Sequence, residues 1–362
     1  MSQRPVFRSL HVGAIGCAIA IAAALSACST GSTPSATNPN LSTAKHSGPL
    51  KILFLQKQGS QDYFVDEMNG AKAAAAKLGD VTITPDDVNM DNSATVSAVK
   101  GAKALGINGI IIVPPDGTTG PRDWQFARSE GLPIISADDQ VCKNNPNPDS
   151  CKPAELLPRV GFDAQQMGTD VGNEVGALFK QKSGWDASNT RILEEWQFST
   201  TVCTPRVTFA DKLFRQTGGT AASNIPAIKV DTDNSESGTP SSAQSKTAST
   251  INANPSVKHW IVVGCNDQNV QGAINALSNA GTSPADILAV GLGGDVACKG
   301  WQASAPNAMA AALLINGFQV GYDAVTAMVH HIRDGAGFKA QITASVTMAN
   351  KSNWQASGFK CH

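Results

Sequence analysis

From residue 50 onward, short β-rich apolar runs alternate with longer segments whose apolar residues recur every three or four positions. Segment 51–55 predicts a strand. In 61–78, Phe64, Met68, Ala71, Ala75 and Leu78 share one face of a helix, and Gly79 stands where a terminating glycine belongs. The pattern then gives a strand at 81–84, a helix at 94–105 begun by Asp91-Asn-Ser, an all-apolar strand at 109–113, a helix at 121–131 and a strand at 133–137. The alternation restarts with strands at 160–162, 192–196, 227–230, 259–263 and 287–291. Helices are expected at 164–182, 206–217, 241–253, 269–280 and 319–333. Repeated strand–helix units about 25–30 residues apart predict doubly wound parallel sheets, and two successive series predict two α/β domains. The break between them is expected near 151–158.

The first residues follow a different pattern. Residues 1–11 carry Arg4 and Arg8 and no acid, and 12–25 are apolar and small. This is the layout of an export signal; a membrane span needs about 20 apolar residues. Leu25-Ser26-Ala27-Cys28 resembles a bacterial lipobox, which implies cleavage before Cys28 and its lipidation, leaving the protein extracytoplasmic and membrane-tethered. Residues 29–47 hold almost nothing apolar to bury and read, with Cys28, as a flexible tether over 28–47. A second polar tract, 231–250, predicts a loop and then a surface helix.

Loss of 1–27 removes two arginines and no acid, taking the formal charge from −1 to about −3, which is no basic footprint for nucleic acid. Roughly 315 residues follow the tether, enough for two domains of ordinary size. The chain is poor in aromatics and rich in small side chains, which suits helices packed closely on a parallel sheet. Of eight cysteines, Cys17 leaves with the signal and Cys28 is lipidated. Export permits disulfides. Cys142 and Cys151 flank a turn-rich loop and are expected to pair, while Cys203, Cys265, Cys298 and Cys361 allow three connectivities.

Signals of enzyme chemistry are missing. There is no Gly-x-Ser-x-Gly elbow, Walker loop, Cys-x-x-Cys or His-Glu-x-x-His. Gly291-Leu-Gly293 begins like a dinucleotide loop, but Val296 stands where the third glycine belongs. His330 and His331 are adjacent on a helix, about 100° apart, a poor metal pair. The expectation is a protein that is not an enzyme, with no cofactor and no metal.

Ligands of open parallel sheets bind at the carboxyl ends of the strands. The residues there are Lys57, Gln61, Tyr63 and Phe64 after the first strand, Asp116 after the third, and Asp138 and Asp139 after the fourth. Phe162 and Asp163 close the fifth. Cys203, Thr204 and Arg206, then Cys265, Asn266 and Asp267, then Gly293, Gly294 and Asp295 follow later strands. Carboxylates, amides and two cations can bond the hydroxyls of a neutral polyhydroxyl ligand, and Tyr63, Phe64 or Phe162 can cover a sugar's C–H face. Each also has a plainer role: Asp138 or Asp139 as a turn cap, Arg206 as a first-turn surface residue, Asn266 as a helix cap, Tyr63 or Phe64 as core, Cys265 as a half-cystine.

Four segments carry a resemblance: 257–267 (VKHWIVVGCND), Phe54-Leu-Gln-Lys-Gln58 with Tyr63-Phe64, Ser136-Ala-Asp-Asp-Gln140, and 70–79 (GAKAAAAKLG). In order and spacing they are similar to the periplasmic sugar-binding family, the type I solute-binding proteins of ABC importers, nearest to its L-arabinose-binding members, over most of 50–347. The resemblance implies two α/β domains joined by a three-segment hinge, here 48–158 plus 307–337 and 159–306 plus 338–362. It implies a monosaccharide, pentose or hexose, held between them and delivered to an ABC permease driven by its ATPase, by a protein expected to be a monomer. Carried over by motif, Lys57, Gln61, Tyr63, Asp138 and Asp139 contact sugar from the first domain, Phe162 lies near the crossing, and Arg206, Cys265, Asn266 and Asp295 contact it from the second. Gln61 and Tyr63 replace a Glu and a Trp of the arabinose binders, Gly293 replaces an Asn in a loop one residue shorter, and 315–319 replaces a Pro-rich stretch. These departures leave the sugar open. A sensor on the same fold and a carbohydrate hydrolase are the other classes, and the adjacency of Asp138 and Asp139 is wrong for two opposed catalytic carboxylates.

Overall fold

The computed structural model describes residues 45–233, 238–303 and 308–361. The expected signal, Cys28 and most of the tether lie outside them. The first lobe begins with β1 (Leu50–Gln56), α1 (Asp62–Leu78), β2 (Val81–Asp87), α2 (Asn92–Gly101), β3 (Gly109–Ile112), α3 (Gly120–Ser129), β4 (Ile134–Ala137) and β5 (Arg159–Gly161). The second runs through α4 (Ala164–Phe179), β6 (Thr190–Trp196), α5 (Cys203–Thr217), α6 (Thr220–Ser223), β7 (Ala227–Asp231), α7 (Pro240–Asn252), β8 (His259–Gly264), α8 (Asp267–Asn279), β9 (Ile287–Gly293), α9 (Asp295–Gln302) and β10 (Met309–Ile315). The chain then returns to the first lobe with α10 (Gly317–Asp334) and β11 (Gln341–Thr343), and ends in the second with β12 (Val346–Asn350).

Two six-stranded sheets result, ordered β11-β5-β4-β3-β1-β2 and β12-β10-β9-β8-β6-β7. Every pairing is parallel except β10 with β12. The alternation of side chains along β1 shows why both faces must be covered. Leu53 and Leu55 join the core cluster of Val99 and Ala127, from α2 and α3, while Ile52 and Phe54 join that of Phe64 and Val325, from α1 and α10. Asp91, Asp163, Asn266 and Asn316 cap α2, α4, α8 and α10, each side chain accepting from a first-turn amide.

Small residues set the helix spacing. A Cβ on Gly321 of α10 would lie 1.8 Å from the Glu67 carbonyl oxygen of α1, and one on Gly70 would lie 1.9 Å from that of Phe318. Gly168, Gly172 and Gly176 form the same kind of stripe on α4 against α5. No helix among the described residues is long and apolar enough to cross a membrane.

Sheet membership differs from the expected division at 158/159, 306/307 and 337/338. Strand β5 pairs with β4 and β11 with β5, so both belong to the first sheet; β10 pairs with β9 and belongs to the second. The chain therefore crosses between sheets at 162–163, at Asn316 and at 344–345. Long-range pairing decides where such strands lie. The strands β10, β11 and β12 and the short helix α9 were not expected from the local pattern.

Cys142 is joined to Cys151, Cys203 to Cys265 and Cys298 to Cys361, with Cα–Cα separations of 6.3, 4.8 and 5.8 Å. Cys142, Cys151 and Glu155 are the one grouping of three metal-type side chains among the described residues. The disulfide leaves it no thiolate.

Candidate functional site

The carboxyl ends of both sheets face a common cleft of about 570 Å³, counting its open mouth. Strand order reverses between β1 and β3 in one sheet and between β6 and β8 in the other, the places where open α/β sheets hold ligands. Lys57 and Gln58 enter directly after β1, Gln61, Tyr63 and Phe64 at the start of α1, and Asp138 directly after β4. From the second lobe come Gln197 and Thr200 after β6, Arg206 in the first turns of α5, Cys265 and Asn266 after β8, Asp267 at the start of α8 and Asp295 after β9.

Asp138 takes φ 53°, the left-handed region that few residues other than glycine adopt. Its amide donates to the Val160 carbonyl at 2.9 Å, and its carbonyl accepts from Arg159 Nη1 at 2.7 Å. A Cβ on Gly161 would meet the Asp138 carbonyl oxygen at 3.1 Å, so the glycine admits this turn. The turn sends two adjacent carboxylates different ways. Asp138 lines the cleft, where Arg206 Nη2 lies 3.6 Å from Oδ1. Asp139 forms a buried ion pair with Lys57. Burial pushes the Asp139 carboxyl up, against the opposing pull of the Lys57 ammonium.

Arg206 is 5% exposed and donates from Nη1 to the Cys265 carbonyl at 3.2 Å. Asp267 accepts from the Gly294 and Val296 amides, each at 2.9 Å. Burial pushes its carboxyl up to about 6 against those donors. Burial, reinforced by the charges of Asp267, Asp62 and Asp66, pushes Asp295 up to about 8, so it is mostly protonated at neutral pH and offers both a donor and an acceptor. Burial also raises the Tyr63 hydroxyl well above its usual range, keeping it a neutral donor.

Four polar atoms of cleft residues are buried without a hydrogen-bond partner in the protein: the Tyr63 hydroxyl, Arg206 Nε, Asp138 Oδ1 and Asp295 Oδ1. Buried polar groups rarely stay unpaired. The lobes also touch across the cleft. Gln61 Nε2 donates to the Gly238 carbonyl at 3.2 Å, the Gln140 amide donates to Thr201 Oγ1 at 3.1 Å, and Lys299 pairs with Asp62 at 2.5 Å. With the Asp138–Arg206 pair, these contacts describe a closed arrangement.

Of the residues expected in the site, Lys57, Gln61, Tyr63, Asp138, Arg206, Cys265, Asn266 and Asp295 line the cleft. Asp139 and Phe162 do not. Asp139 sits behind Lys57, and Phe162 is buried against the Tyr63 ring at a centroid distance of 6.2 Å. Cys265 is a half-cystine and contributes wall rather than a thiol. Asn266 does two things: Oδ1 caps α8 by accepting from the Asn269 amide at 2.8 Å, and Nδ2 donates to Gln197 Oε1 at 3.1 Å. Gln197, directly after β6, and Thr200, in the turn between β6 and α5, also line the cleft and were missed, although the first carries the signal used for the other positions.

A family model described as a periplasmic binding protein domain matches residues 52–336. The ABC transporter L-arabinose-binding periplasmic protein of Azospirillum brasilense is 26% identical over 317 residues, 86% of this chain and 90% of that protein. The L-arabinose-binding periplasmic protein of Escherichia coli (strain K12) is 28% identical over 247 residues, 68% of this chain and 70% of that protein. Among solved structures, the myo-inositol binding protein of Caulobacter, bound to myo-inositol, superposes with a TM-score of 0.68 at 18% identity, over 86% of this chain and 97% of that one. Two mainly parallel sheets facing one cleft, and a family model spanning both lobes, agree: this chain belongs to the type I periplasmic binding protein family, a family that binds solutes rather than transforming them.

Proposed function

We propose that this chain is the extracytoplasmic solute-binding component of an ABC importer, capturing a neutral monosaccharide (a pentose or hexose, arabinose-like) or a cyclic polyol between its lobes. The supporting observation is the convergence of the Tyr63 hydroxyl, Arg206 Nε, Asp138 Oδ1 and Asp295 Oδ1, all buried and without a hydrogen-bond partner in the protein, on one cleft. Donors and acceptors so mixed suit hydroxyls, which both give and accept. Charge favours a neutral ligand. Lys57 and Arg206 each already face a carboxylate, so a sugar phosphate or sugar acid finds no unmatched cation. The names of the relatives favour the same class.

Mechanism is closure rather than chemistry. The lobes pivot about the crossings at 162–163, Asn316 and 344–345, and the ligand selects the closed form because only there does it meet Asp138 and Arg206 together. Delivery is to a membrane permease driven by a separate ATPase. A thermal-shift panel of pentoses, hexoses, deoxy sugars, polyols, sugar phosphates and sugar acids tests the reading. Stabilisation by at least one neutral member and by no anionic one is expected; stabilisation by anionic members alone overturns it. Lipidation at Cys28 is the second part of the proposal. Cys28→Ala is expected to move the protein from the membrane fraction to the soluble one, and unchanged membrane association would refute the anchor.

A further inference from the structure

We propose that the Cys203–Cys265 disulfide positions Arg206 for the ligand, so that affinity in the cleft depends on this bond. The inference rests on the sugar-binding reading of that cleft.

Cys203 is the first residue of α5, and Arg206 follows one turn later. The start of this helix has no side-chain cap and is held in its backbone by the bond from the Cys203 amide to the Thr200 carbonyl at 3.0 Å. Val202, at the cap position, makes no side-chain capping bond, and the Arg206 amide reaches the Val202 carbonyl only at 3.5 Å, the long limit of a hydrogen bond. Gly168 of α4 lets the two helices meet at the Arg206 carbonyl and supports the back of α5. On the cleft side, the disulfide ties the first turn to the end of β8.

The partner cysteine is itself fixed. The Cys265 amide donates to the Glu195 carbonyl of β6 at 3.0 Å, so this end of the bond is registered to the sheet. The Cys265 carbonyl accepts from Arg206 Nη1 at 3.2 Å. One cysteine thus begins the turn that carries Arg206, and the other supplies the acceptor that orients its guanidinium. Both are buried, with Cα atoms 4.8 Å apart. With Nη1 held there and Nη2 beside Asp138, Nε is left unpaired for a ligand. Without the bond, the uncapped turn and its acceptor can move independently, and the fork loses its fixed direction.

A thermodynamic cycle tests this, read by calorimetric titration with the neutral panel member that gives the largest thermal shift. C203A/C265A is expected to weaken binding at least about tenfold, while the triple variant with Arg206→Ala binds within about twofold of Arg206→Ala alone, because the bond acts through that residue. The Cys142→Ser/Cys151→Ser variant is the control for general destabilisation: its melting temperature falls and its affinity stays within about twofold of wild type. If C203A/C265A does not fold, C203V/C265A, which refills the buried volume, replaces it. Wild-type affinity in the bond-free variant, or losses that simply multiply in the triple variant, overturns the positioning role while leaving the sugar-binding reading intact. A panel in which nothing binds the wild type refutes that reading instead.

Discussion

Replacing Arg206 by alanine separates a binding role from a stability role. Its Nη2 lies 3.6 Å from Asp138 Oδ1, with side-chain exposures of 6% and 9%, so in the closed form this pair is shielded from water. Nε is unpaired beside the cleft. A hydrogen bond from a charged group contributes about 1.5–3 kcal/mol, and leaving Asp138 buried without its cation costs a further ~1–3 kcal/mol. The lower end of that range, about 2.5 kcal/mol, is a loss of roughly 60-fold in affinity. The cost of the Asp138 pair falls on the closed, ligated state, whereas the Arg206–Cys265 bond lies within the second lobe and is lost in either state. Asp138 comes from the first lobe and Arg206 from the second, so opening the cleft returns the carboxylate to water. The unliganded melting temperature is therefore expected to fall by no more than about 6 °C, the effect of the single bond to Cys265 at about 1.5 kcal/mol, where 1 kcal/mol of global stability corresponds to about 2–4 °C in domains of this size. Calorimetric titration and a thermal melt of the unliganded protein, run on both forms, give the two numbers. Affinity within about threefold of wild type, or a melting temperature that collapses in parallel, refutes the reasoning.

Two further outcomes concern the scaffold. Glu195 is fully buried on β6, its Oε1 accepting from Thr247 Oγ1 at 2.8 Å, and burial pushes its carboxyl up from 4.5 to about 8. The folded state then binds the proton more tightly than the unfolded chain, so stability falls as pH rises from about 4.5 to about 8 and levels off above. Glu195→Gln is expected to flatten that decline by up to about 1.4 kcal/mol per pH unit in urea titrations at several pH values, while Glu67 and Asp295, whose carboxyls burial also pushes up to about 8, supply slope that remains; an unchanged slope contradicts the assignment. Gly321→Ala places a Cβ 1.8 Å from the Glu67 carbonyl and must force α10 away from α1. A loss of about 2 kcal/mol or more is expected in urea unfolding, and a neutral result would mean that the two helices are not held in this close contact.

The strand–helix alternation between 50 and 291 was legible because both faces of each sheet are covered, which makes strands such as β3 apolar throughout and helices amphipathic. The last part of the chain was not. Strands β11 and β12 are short and sit at sheet edges, with no long apolar run to mark them, and the apolar β10 is distinguished from a buried helix only by its pairing with β9 and β12. The crossing points failed for the same reason, since Asn316 caps α10 directly after β10 and nothing local marks the change of sheet. In the site, the strand ends named by the carboxyl-end rule line one cleft, but the rule could not say which of two adjacent side chains turns inward. The left-handed backbone at Asp138, clamped by Arg159, decides that, and it turns Asp139 toward Lys57 instead of the cleft. Phe162 lies at the crossing, as the motif implied, and packs behind Tyr63 as support for the ring that lines the cleft.

Calorimetric titration of the purified protein with the neutral sugar or polyol that stabilises it most, set beside the 6-phosphate or uronic acid of the same sugar, tests the central claim most directly. The account predicts one saturable site per chain for the neutral compound and no measurable heat for its charged counterpart. Saturable binding of the anion with none of the neutral compound would contradict it.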